Sequence, residues 1–162
     1  MRRLLSLALL PLLFTPALAR DALGVFDGWA AFRDPAVPRC YAIAMAEPSA
    51  KRRDFQPYAD VATWPRKGVR GQVHFRLSRR MAQGAGISLS LGGQRFALTG
   101  GGAEAWATDR RMDAAIVAAI RSADSMTVSS RDAAGNSFSN TWLLKGAASA
   151  MDAATLACAS IR

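Results

Sequence analysis

Very few side chains in this chain could do chemistry. It has one histidine, His74, and two cysteines, Cys40 and Cys158. Nucleophilic hydrolysis needs a nucleophile beside a general base, and the usual base is histidine. In Arg70 to Ser78 the apolar residues Val73, Phe75 and Leu77 alternate with Gln72, His74 and Arg76. The alternation puts His74 on the wet side of a strand, where a solvated surface residue is expected. The rival reading, a cryptic hydrolase site around His74, needs a partner that the pattern does not single out. One histidine and two widely separated cysteines give no ligand spacing for zinc. Gly100-Gly101-Gly102 lacks the lysine and Ser/Thr of a phosphate-binding loop and reads as a flexible connector. Carboxylates are sparse, and Asp109 with Asp113 sit at one-turn spacing on a surface helix, whereas glycosidase chemistry sets two acids across a cleft. The expectation is a protein that is not an enzyme, with no metal and no cofactor.

Residues 1–19 have the three parts of a cleaved signal peptide: Arg2 and Arg3, the apolar run LLSLALLPLLF, and the small-x-small site Ala17-Leu18-Ala19. The run is shorter than the roughly 20 residues that span a bilayer, and Pro11 interrupts it. No later segment is apolar enough to span one. A single mature domain over 20–162 is therefore expected in the periplasm or outer envelope. In that oxidising setting the two cysteines are expected to pair, because an even count of two leaves no other intramolecular choice. Cys40 lies in the apolar run RCYAIAM and Cys158 on the apolar side of an alanine-rich helix, so the bridge reads as structural and not redox-active.

The formal net charge is +9, and removing Arg2 and Arg3 leaves +7 on the mature domain. Between Lys51 and Arg80 nine cations stand against two carboxylates, Asp54 and Asp60. Two clusters, Lys51, Arg52, Arg53 and Arg66, Lys67, Arg70, fall in expected loops. The hypothesised arrangement brings both to one end of the domain, where their fields add within the Debye length of about 8 Å; leaving at opposite ends, each would be ordinary solvated surface. Such a patch would take an anionic envelope lipid or polymer, with an envelope protein as the other class of partner. Nucleic acid is scarce in that compartment.

The elements that position these groups follow from periodicity. Leu23 to Arg33 reads as a strand bent at a glycine, and Arg39 to Ala46 as a strand apolar on both faces. Glu47 to Gln56 reads as an exposed loop, YADVATW as a short strand, and Arg66-Lys67-Gly68 as a turn. Ile87 to Leu98 is a hairpin across Gly92-Gly93, a pair suited to a tight primed turn, with Leu89 opposite Phe96 and Ile87 opposite Leu98. Met112, Ile116, Ala119, Ile120 and Ala123 recur at helical spacing behind a cap at Thr108 or Asp109. Ser125 to Ser130 and Ser137 to Leu144 form a second hairpin. Gly146 then leads into a helix with Met151, Ala154 and Cys158 on one face. Seven or eight short strands with a mid-chain and a C-terminal helix predict a mainly β chain, a β-sandwich with helical additions.

The segments FDGWAAF, RCYAIAM and LLKGAASAMDAA, and above all Trp29, Cys40 and Leu144-Lys145-Gly146, resemble the invasion-associated locus B family of exported bacterial envelope proteins. The chain departs from that pattern where members commonly have a further cysteine after the first tryptophan; here Phe32 and Arg33 stand there. The resemblance implies an immunoglobulin-like β-sandwich in the periplasm or outer envelope, without a catalytic centre, acting as an accessory or binding module.

Overall fold

In the computed structural model, which describes residues 20–159, alternating apolar side chains are laid down on ten strands. The expected signal peptide, 1–19, lies outside the described residues, as do 160–162. The chain runs through β1 (Asp21–Phe26), β2 (Trp29–Asp34), β3 (Arg39–Met45), β4 (Tyr58–Trp64), a 3₁₀ turn (Pro65–Lys67), β5 (Val69–Arg76), β6 (Ile87–Leu91), β7 (Gln94–Gly101) and β8 (Glu104–Trp106). Helix α1 (Arg110–Ile120), β9 (Ser125–Arg131), β10 (Ser137–Leu143) and α2 (Ala147–Ala159) complete it. All pairs are antiparallel, in the order β1-β2-β3-β4-β5-β8-β7-β6-β9-β10. The chain is thus mainly β, one antiparallel sheet with a mid-chain and a C-terminal helix.

The sheet curls on itself. β7 pairs with β6 from Gln94 to Leu98 and with β8 from Thr99 to Gly101, so it passes from one half to the other. Phe75 of β5 meets Trp142 of β10 with ring centroids 5.5 Å apart, although four strands separate them in the sheet order. The buried side chains of β5, β6, β9 and β10, among them Val73, Leu89, Val128 and Trp142, join one core with Ile116 of α1 and Met151 of α2. Helix α1 starts at Asp109, whose side chain accepts from Met112 N–H at 2.8 Å, the cap that the sequence offered. Its first turn is fastened to the sheet where Asp113 accepts from Val73 N–H at 2.8 Å. Burial, the larger influence, raises the Asp113 carboxyl above its ordinary value; that N–H opposes the shift and nearby Asp109 adds to it.

Several expectations need correction. Leu23 to Arg33 is not one bent strand but two, joined at Asp27-Gly28, with Asp27 in the left-handed region at φ 51°. β3 lies inside the sheet as expected, with Cys40, Ala42 and Ala44 buried on one face and Tyr41 on the other, but Ile43 is only half-buried and Met45 at its end is 51% exposed. The glycine run is no loose connector: it belongs to a tight β7 to β8 hairpin, and a Cβ on Gly100 would lie 2.1 Å from the Glu104 carbonyl oxygen.

The residues that carry the family resemblance meet one another. Trp29 Nε1 donates to the Leu143 carbonyl at 2.9 Å, and Lys145 Nζ lies 2.9 Å from Asp27 Oδ1. Gly146, at φ 85°, lies so close to the β1 to β2 turn that a Cβ would sit 1.9 Å from the Phe26 carbonyl oxygen. At the other end of α2, Cys158 is bonded to Cys40 with Cα atoms 5.7 Å apart, closing 118 positions of chain as expected. The chain-entropy model gives such a loop closure about 4 to 5 kcal/mol. Helix α2 is thus fastened at its start by close packing and at its end by a covalent bond.

Candidate functional site

His74 is not the solvated residue that the alternation suggested. In the sheet register Asp60 of β4 and Trp106 of β8 stand directly opposite it on either side. Its Nδ1 lies 2.7 Å from Asp60 Oδ2 and its Nε2 lies 2.8 Å from Glu104 Oε2. Trp106 stacks on the ring at 5.2 Å and Tyr58 meets it edge-on at 5.7 Å, leaving the side chain 17% exposed. The second oxygen of Glu104 is bonded to Arg76, which also lies over the Phe55 ring at 4.3 Å.

This geometry constrains the chemistry. A general base must offer a nitrogen lone pair to the group it deprotonates. Here each ring nitrogen faces a carboxylate, and both bonds form together when both nitrogens carry hydrogen. The histidine thus links β4, β5 and β8 through contacts to two carboxylates, with no hydroxyl or thiol among its described hydrogen-bond partners. Among the described residues no group of His, Cys, Asp and Glu is arranged to hold a metal ion. No helix among them is long and apolar enough to cross a membrane.

The two basic clusters do not converge. Met45 and Arg76 stand on either side of Tyr58 at one end of β3, β4 and β5, and Lys51, Arg52 and Arg53 lie in the loop at that end. Arg66, Lys67 and Arg70 lie at the other, where Trp64 pairs with Val69. Seven residues of β4 separate them by roughly 20 Å at about 3.3 Å per residue, well beyond the Debye length. The expected single patch is replaced by two separate ends.

At the first end most of the arginines are engaged within the chain, while Lys51 is exposed with no ion-pair partner among the described residues. Arg53 donates to the Glu47 carbonyl, Arg52 lies 3.6 Å from Asp54, and Arg79 holds Asp132 at 2.6 Å. Burial alone would push the Asp132 carboxyl up, but the N–H groups of Asn136 and Ala134 and the Arg79 guanidinium outweigh it and hold the group below its ordinary value. At the second end, Lys67 rests on the Trp64 ring at 4.6 Å. Arg66 and Arg70 are exposed, with no ion-pair partner among the described residues. Compared with known proteins, the chain matches no family model, no curated protein and no solved structure.

Sequence reasoning missed Asp60, Glu104, Tyr58 and Trp106 around His74. The signal for Asp60 was available in the register of two adjacent strands; Glu104 sits in β8, a strand of three residues that periodicity does not register.

Proposed function

We propose that the chain is an exported, non-enzymatic binding module of the bacterial envelope, of the invasion-associated locus B type. The curled sheet is then the immunoglobulin-like β-sandwich of that family, and Arg66, Lys67 and Arg70 meet an anionic envelope component. The observation that carries the reading is the Cys40 to Cys158 disulfide. Such a bridge persists in an oxidising compartment, the one that the signal-peptide pattern also specifies. In that compartment lipid phosphates and acidic polymers are the abundant anions. The occupied nitrogens of His74 weigh against the rival reading of a periplasmic hydrolase.

Intact mass and alkylation of protein recovered from the envelope test the first half. The expected product starts at Arg20 with neither thiol labelled; a product retaining Met1, or labelling of both cysteines, contradicts export and pairing. Sedimentation with phosphatidylglycerol vesicles tests the second half. Binding should weaken as salt is raised, and salt-independent binding contradicts an electrostatic contact.

A further inference from the structure

A cleft of about 710 Å³ runs between the two helices and the sheet, within the roughly 300 to 1,000 Å³ of small-ligand sites. Val61 of β4 and Val69 of β5 form its floor. Ala114, Val117 and Ala118 of α1 make one wall, and Met151 and Ala154 of α2 the other. The facing alanines are too short to reach across, so the helices stand apart while their apolar surfaces still face one another. The Arg121 guanidinium donates to Asp152 at 2.6 and 3.3 Å, bridging α1 to α2 and neutralising both charges.

The charge on the rim is one-sided. Pro65 and Gly68 of the basic turn and Arg70 at the start of β5 line the cleft directly, and no Asp or Glu does. Since Arg121 is neutralised by Asp152, Arg70 is the uncompensated charge on the lining, with Arg66 and Lys67 beside it in the turn. Apolar walls that end at an unpaired guanidinium complement a molecule with an alkyl chain and a negative head. The volume is that of a small-ligand site, which suits one chain rather than a bilayer surface.

We propose that this cleft binds a single-chain anionic amphiphile, a long-chain fatty carboxylate, with the alkyl chain between α1 and α2 and the carboxylate at Arg70. The inference rests on the reading of the basic turn as anion-facing, and the two fail separately. Vesicle binding reports on the turn as a surface, whereas a dissolved amphiphile reports on the cleft. Ala118→Trp should leave the first intact and abolish the second.

The experiment is calorimetric titration of the exported chain with dodecanoate below its micelle concentration, beside dodecanol and dodecyltrimethylammonium. Saturable binding of one dodecanoate per chain is expected, with the cationic analogue weaker by about tenfold or more. Arg70→Glu should weaken dodecanoate by about tenfold and leave dodecanol unchanged. Ala118→Trp and, separately, Thr155→Trp place an indole in the cleft from exposed positions on opposite walls, and each should remove binding of both ligands. Absence of saturable binding, wild-type affinity in both tryptophan variants, or equal affinity for anion and cation would overturn the proposal. So would binding that appears only after residues 160–162 are deleted, which would assign the cleft to the chain's own end.

Discussion

The two ends of β4 carry nearly the same charge and use it in opposite ways. At the end near Tyr58 the arginines hold neighbouring segments, Arg53 on the Glu47 carbonyl, Arg52 beside Asp54, Arg79 on Asp132 and Arg76 on Glu104, and of the cluster only Lys51 stays exposed without such a contact. At the end near Trp64, Arg66 in the turn and Arg70 at the start of β5 stay exposed without ion-pair partners among the described residues, and this end borders an apolar cleft. A count of cations along the sequence treats the two alike. What separates them is whether a carboxylate or carbonyl lies within reach, and that is set by pairing between distant strands.

The largest expected effect comes from removing the covalent tie at the Trp64 end. Replacing Cys40 and Cys158 together by alanine should lower stability by about 4 to 5 kcal/mol, read as a shift of the urea midpoint. Because Cys158 lines the cleft, α2 should loosen there first, with amide exchange rising at its C-terminal turns before its N-terminal ones. An unchanged midpoint would break the comparison. Next comes Gly146→Ala, at the opposite end of α2. A left-handed φ of 85° and a Cβ 1.9 Å from a backbone oxygen should cost about 3 kcal/mol or more. A midpoint equal to that of the native chain would show that α2 is not seated on the β1 to β2 turn.

The smallest effect sharpens the account of the Tyr58 end. The folded Asp132 carboxyl is held below its ordinary value of 3.8, so its contribution to stability is complete above that value. It is lost as pH falls through the lower folded value. Asp132→Asn should therefore be less stable than the native chain at neutral pH, with the gap closing in acid below the ordinary carboxylate value. A gap of constant size from neutral to acid pH would remove the charge pairing from the explanation.

The legible parts of this fold are the local ones. Gly92-Gly93 with its flanking alternation specified turn and register together, and Asp109 announced the start of α1. The cysteine pair was legible because a count of two left one intramolecular choice. Asp27-Gly28 was an equally good turn signal and was passed over, since the neighbouring glycines suggested a single bent strand. The opposite placement of the two basic clusters was also within reach: loops that flank one strand must leave from its two ends. The surroundings of His74 were not, because Glu104 reaches it from 30 positions away. The cleft was invisible as well, for it is bounded by β4, β5, α1 and α2, which come together only in the folded chain.

The central claim is that the Trp64 end of β4 faces an anionic partner and the Tyr58 end does not. The most direct measurement compares two charge-reversed proteins on phosphatidylglycerol vesicles over a range of salt. One has Arg66, Lys67 and Arg70 changed to glutamate, the other Lys51, Arg52 and Arg53. The account predicts that the first loses vesicle binding and its salt dependence, while the second keeps most of both. Equal loss in the two proteins, or loss in the second alone, would contradict it.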